Sequence, residues 1–257
     1  MKASEFVERA KLAAASKTVY AFGQFGLSIS DGIRMGSIPY SNMTAVRSGE
    51  STRSYALRYS STIRKPVKNA AEGTFGFDCS GLIQACLCEW NANKKDYLGG
   101  ADPKKCDTRY TANVLAHMTG WTSGAMTAED WACIRPGDVM FQAPDSKNAN
   151  HIAIYIGDGK AIECAYDWCG PAYGMTDGVQ TIDLCGYSNG YMYTNRNGCS
   201  GKRKWIGFGS LPMIEYEEPC ETEIIFWNNE DDPMIEEAKQ IREALAKIIE
   251  RLDNLIE

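Results

Sequence analysis

Phe77-Asp78-Cys79-Ser80-Gly81-Leu82-Ile83 decides how this chain reads. Behind the cysteine, Leu82, Ile83, Cys86, Leu87 and Trp90 recur at helical spacing and form one apolar face. Asp78 precedes that face and suits an N-cap, because its carboxylate accepts the free amide hydrogens of a first turn. The spacing therefore predicts a buried helix with Cys79 at its N-terminal end. Such an end carries roughly half a positive charge. It is expected to lower the cysteine pKa and to stabilise an oxyanion formed when sulfur attacks a carbonyl. The same pattern also describes a small buried cysteine in a core helix, since free cysteines are among the most buried residues.

A cysteine nucleophile needs a base, and the chain holds only two histidines, His117 and His151. His117 falls in a short amphipathic stretch, Thr108 to Met118, where a histidine is usually structural. His151 opens the clearest strand, His-Ile-Ala-Ile-Tyr-Ile, which turns at Gly157-Asp158-Gly159 and returns as Lys160 to Ala165. Glu163 on the returning strand can orient the imidazole, as a third group commonly does. It reads equally as a solvated strand residue.

The remaining chain sets the frame. Ser4 to Ser16 is expected to be helical, with Phe6, Ala10, Ala13 and Ala14 on one side. Thr18 to Gly26 mixes aromatic residues with glycine and reads as a packed approach to the central helix. Thr127-Ala128-Glu129-Asp130 resembles a capping box. Pro136-Gly137-Asp138 predicts a turn into a strand at Val139 to Gln142. Further strands are expected at Val179 to Leu184, Trp205 to Phe208 and Met213 to Tyr216. Helices early and antiparallel strands late predict an α+β domain.

Three segments follow: a domain over 1–216, an acidic linker over 217–233, and a tail helix over 234–257. In the tail, Ala238, Ile241, Leu245, Ile248, Leu252 and Leu255 are spaced as a heptad seam. The tail is either an oligomerisation helix or one packed on its own domain. Arg53, Arg58, Arg64, Lys65 and Lys68 make a basic stretch, read as a solvated face or a contact for an anionic polymer.

Composition excludes several classes. A net charge of −6 argues against a protein that coats nucleic acid or an anionic membrane. No apolar run is long enough to span a bilayer. Met1 to Phe6 has no apolar signal region, so synthesis in a cytoplasm is expected. Ten cysteines are present, without the paired CxxC sets of a zinc site, and reduced thiols are expected. Cys164 with Cys169, or Cys185 with Cys199, are the pairs that oxidising surroundings would favour.

Taken together, the motifs resemble the NlpC-like family of cell-wall cysteine peptidases, a circularly permuted, papain-like group. Phe77 to Ile83 matches its nucleophile motif. Arg135-Pro136-Gly137-Asp138-Val139-Met140-Phe141 resembles its strand entry, His151 to Lys160 its histidine hairpin, and Tyr20-Ala21-Phe22-Gly23 its aromatic-glycine motif. The match covers roughly residues 18 to 216 in the family's order. By position it implies Cys79 as nucleophile and His151 as base. The family's third residue, often histidine, falls at Glu163. Tyr20, Asp78 and Ser80 are expected beside the substrate.

The implied activity is hydrolysis of an amide in peptidoglycan stem peptides, without metal or cofactor. The segment between Gly23 and Phe77, with the ending Trp205 to Pro212, resembles phage and prophage lysins. These reach the wall when another protein opens a route. An amidase cleaving at muramic acid, an acyltransferase, and a non-catalytic oligomeric protein are the alternatives.

Overall fold

The computed structural model describes residues 1–21, 25–28, 71, 73–92, 110–165, 178–195 and 203–216. The chain divides into two units, Met1–Glu223 and Ile224–Glu257, and every described residue belongs to the first. The expected acidic linker, the heptad tail and the basic stretch from Arg53 to Lys68 lie outside the described residues.

Helix α1 (Ala3–Ala15) buries Phe6, Val7, Ala10 and Ala13. Three short strands follow: β1 (Thr18–Tyr20), β2 (Phe25–Ser28) and β3 (Phe75–Phe77), in the order β1-β3-β2. The aromatic-glycine stretch, read as a packed approach, thus includes strands. Their length of three or four residues leaves too little alternation to announce them. Glycine is required at Gly26, where φ is +95° and a Cβ would meet the Trp90 ring at 2.3 Å. The Gly26 carbonyl accepts from Trp90 Nε1 at 2.9 Å.

Helix α2 (Cys79–Leu87) begins at the expected cysteine and buries Leu82, Ile83, Ala85 and Cys86. Burying each large aliphatic side chain is worth about 1.5–3 kcal/mol. The α2 face packs with Phe6 and Ala10 of α1, and with Ile152, Ile154, Ile162 and Cys164 of the large sheet. Helices α3 (Ala112–Met118) and α4 (Ala128–Trp131) are each capped by the threonine before them, and α4 has the expected capping box.

The large sheet has seven strands: β4 (Val139–Gln142), β5 (His151–Gly157), β6 (Lys160–Ala165), β7 (Gly178–Ser188), β8 (Tyr191–Asn195), β9 (Arg203–Trp205) and β10 (Gly207–Gly209). Its order is β10-β4-β5-β6-β7-β8-β9, and its pairings are antiparallel. Strands β9 and β10 form the two edges, yet only Ile206 separates them in sequence. The Ile206 amide donates to the Phe141 carbonyl at 3.0 Å. One segment therefore joins both edges and wraps the sheet around an inner face.

The fold is α+β, as expected, with two differences among its strands. The stretch expected as one strand over Trp205 to Phe208 is split at Ile206 because its halves pair with opposite edges. Met213 to Tyr216 forms no strand. A turn with Ile214 N–H bonded to the Leu211 carbonyl at 3.0 Å leaves only a bridge from Glu215 to Lys2. The thiols also differ from expectation. Cys79, Cys86, Cys133, Cys164 and Cys185 are free, but Cys88, buried at the C-cap of α2, is disulfide-bonded.

Candidate active site

Cys79 is held by the start of α2. Asp78 takes an extended N-cap conformation, and its Oδ1 accepts from the Gly81 amide at 2.6 Å. Ser80 Oγ donates to the same oxygen at 3.2 Å. Both residues expected beside the substrate are thus engaged with each other and with the helix end. Tyr20 lies in β1, whose ladder pairs it with Phe77, two residues before Cys79. Tyr20 and Cys79 are both partly buried against the same core cluster.

The Cys79 sulfur sits where α2 meets β5. Hydrogen bonds from the backbones of Ser80, Ile152 and Cys79 favour its thiolate. Ile152 directly follows His151, so this contact brings the Cys79 sulfur to the start of the histidine strand. Burial is nevertheless the larger influence. Together with the Asp78 charge it pushes the thiol up to about 12 from its ordinary 9.0. The helix end was expected to lower this value. Desolvation and the neighbouring carboxylate outweigh it, and the resting group is a neutral thiol.

His151 and Glu163 do meet. His151 Nε2 lies 2.6 Å from Glu163 Oε2, and the Glu163 side chain is fully buried. The sheet register explains the contact. Glu163 stands directly opposite Ala153, two positions from His151 on the same face. That makes His151 and Glu163 diagonal neighbours, within reach of long side chains. Ala153 places only a methyl group between them. Through Nε2, the imidazole is tied to the Glu163 carboxylate.

Three residues not anticipated from sequence complete the site. Gln180 on β7, opposite Glu163 in the ladder, donates from Nε2 to Glu163 Oε1 at 3.0 Å. Arg203 Nη1 on β9 lies 3.3 Å from Glu163 Oε2. The Trp205 ring stands 5.6 Å from the His151 ring, centroid to centroid, and its Nε1 donates to Thr194 Oγ1 at 2.9 Å. A sequence signal existed for two of them. Strand alternation puts Gln180 on a face with Ile182, and Arg203 on a face with Trp205. A polar side chain on a buried face requires a partner. His117, the other histidine, is exposed and bonded through Nδ1 to the Trp121 carbonyl at 2.8 Å.

Comparison with known proteins bears on this arrangement. Residues 64–169 match the family model described as NlpC/P60 family. Solved structures similar to the chain include NlpC2 from Trichomonas vaginalis, at 20% identity and TM-score 0.27, over 55% of this chain and 40% of that one. A second is an NlpC/P60 family protein from Bacillus cereus ATCC 10987, at 22% identity and TM-score 0.26, over 48% of this chain and 32% of that one. NlpC1 from Trichomonas vaginalis is 15% identical with TM-score 0.31, over 76% of this chain and 44% of that one. The alignments thus cover less than half the length of each of these structures. No curated protein matches the chain.

Proposed function

We propose, from the premise that residues 64–169 are an NlpC/P60 family segment, that this protein hydrolyses an amide bond in the stem peptides of peptidoglycan. Proteins of this family are generally cell-wall peptidases and usually cysteine hydrolases. The observation that carries the reading is the fully buried Glu163 carboxylate, 2.6 Å from His151, on a strand whose next residue touches the Cys79 sulfur.

In the proposed reaction, the Cys79 proton moves to the His151 imidazole as sulfur attacks the substrate carbonyl. Burial keeps the thiol neutral at rest, so the thiolate forms as the bond is made. Amides at the start of α2 face the developing oxyanion. The His151 imidazolium then protonates the departing amine, leaving a thioester on Cys79. Water, deprotonated by His151, releases the acyl group as a carboxylic acid. Glu163 holds the ring and balances its positive charge, and Tyr20 flanks the nucleophile.

Action at a bacterial wall, in the manner of a phage or prophage lysin, belongs to this reading and draws on the Trp205 to Pro212 ending. No helix among the described residues is long and apolar enough to cross a membrane.

The test uses purified sacculi. The protein should release new amino groups, and Cys79→Ala and His151→Ala should lower the rate by about 10²–10⁴-fold. No release by the unaltered protein overturns the hydrolase reading. Equal release by Cys79→Ala removes Cys79 as nucleophile. Mass spectrometry of the fragments identifies the bond and separates an endopeptidase from an amidase.

A further inference from the structure

We propose that Arg203 is a positioning residue of this site: its guanidinium balances the Glu163 charge and keeps the His151–Glu163 pair from binding its proton too tightly. The proposal rests on the Cys79–His151 reading above. It concerns a residue outside the expected set, on the strand that closes the sheet.

The Glu163 side chain is fully buried, and that of Arg203 is only 13% exposed. A carboxylate removed from water is driven toward its neutral form unless positive charge or donors stand beside it. Here Oε2 faces both His151 Nε2 at 2.6 Å and Arg203 Nη1 at 3.3 Å, while Oε1 takes Gln180 Nε2 at 3.0 Å. Arginine stays charged throughout the working pH range. It therefore stabilises ionised Glu163 whether His151 is protonated or neutral. Without it, the buried carboxylate would lose a fixed positive charge at Oε2, and His151 would hold its proton to higher pH.

The surroundings add few competing charges. Among the described residues, β7 supplies the uncharged Gln180, and β4 sets the uncharged Gln142 opposite His151. β8 supplies Thr194, bonded to Trp205. From the helix side come the neutral Cys79 thiol and, behind it, Asp78. Asp78, whose charge acts on the Cys79 thiol, is opposite in sign to Arg203 and does not replace it. One short strand delivers two parts: Arg203 toward the carboxylate and, two residues on, Trp205 against the imidazole ring.

Removing a fixed cation raises the proton affinity of the groups beside it, however the proton is shared between them. Arg203→Gln should therefore raise the upper titration of the pair by about one pH unit. Arg203→Lys should reverse most of that shift. With only two histidines in the chain, ¹⁵N-histidine NMR resolves both rings, and His117→Gln assigns them. The experiment titrates the full-length protein, Arg203→Gln and Arg203→Lys by NMR, with melting curves to establish folding. Sacculus hydrolysis by the same three proteins is followed against pH.

The expected result is a higher His151 titration and a higher-pH onset of hydrolysis in Arg203→Gln, both largely reversed in Arg203→Lys. An unchanged His151 titration in folded Arg203→Gln overturns the proposal. So does a shift that Arg203→Lys leaves in place while remaining folded. If the unaltered protein does not hydrolyse sacculi, the hydrolase reading fails, and the NMR titration still decides the role of Arg203.

Discussion

Replacing Asp78 by asparagine should make Cys79 more reactive without loosening its helix. Asp78 has two roles that the structure allows to be separated. Its Oδ1 accepts from Gly81 N–H at 2.6 Å and Ser80 Oγ at 3.2 Å, and its charge disfavours the Cys79 thiolate. Asparagine is about as good an N-cap as aspartate. Asp78→Asn therefore removes the charge and retains the acceptor, whereas Asp78→Ala removes both. The thiol stands at about 12 against an ordinary 9.0, with burial the larger cause and Asp78 the second. Removing the smaller cause should lower it by about one unit, roughly 1.4 kcal/mol.

Below the pKa that shift yields about tenfold more thiolate. A less basic thiolate is also a weaker nucleophile, which reduces the gain to about threefold in rate. The assay is alkylation by iodoacetamide at a series of pH values, with the Cys79 peptide quantified by mass spectrometry so that other thiols do not contribute. Both variants should alkylate faster at Cys79. Only Asp78→Ala should lose stability, by about 1 kcal/mol in urea unfolding. An Asp78→Asn profile that superimposes on the unaltered protein, with equal stability, would refute the claim that this carboxylate holds the sulfur neutral.

Two further outcomes follow from the same geometry. Ala153 is fully buried directly opposite Glu163, so Ala153→Leu should force Glu163 away from His151. It should cost about 1–3 kcal/mol from overpacking and reduce sacculus hydrolysis at least tenfold; unchanged hydrolysis would show that the diagonal contact is dispensable. Cys79 and the fully buried Cys86 are both raised to about 12. In the unfolded chain each thiol loses its proton near 9, while the folded protein keeps it. Their stabilising contribution is therefore complete below pH 9 and is lost as pH rises toward 12, at up to about 1.4 kcal/mol per unit for each thiol. Urea unfolding between pH 8 and 10.5 should show a smaller alkaline loss in Cys86→Ala.

The parts legible in the sequence were those with strong local chemistry. Asp78 before an apolar helical face located α2, and the alternation of His151 to Ile156 with its glycine turn located the hairpin. The α+β class followed from helices early in the chain and antiparallel strands late. The small sheet was not legible, because three residues such as Thr18–Tyr20 carry no period. Strand β8 was missed for a related reason: Tyr191-Met192-Tyr193 is followed by the polar Thr194 and Asn195, with no apolar/polar alternation over the strand. The sign of the Cys79 shift was also beyond a sequence reading. A helix end can be inferred from a cap, but desolvation depends on what the fold packs against the sulfur.

Glu163 and Arg203 illustrate the same limit from the side of chemistry. A histidine in the third position can orient an imidazole without placing a net negative charge in the sheet interior. A glutamate there carries one, and a fully buried carboxylate requires compensation. In the proposed reaction His151 gives up its proton, so the imidazolium is not a constant counter-charge. The compensation comes from β9, which reaches the inner face because Ile206 lets one segment join both edges of the sheet. The carboxylate and the guanidinium therefore form one choice made across the fold: a neutral residue at 163 would remove the electrostatic need for Arg203, and a neutral residue at 203 would leave Glu163 holding the His151 proton more tightly.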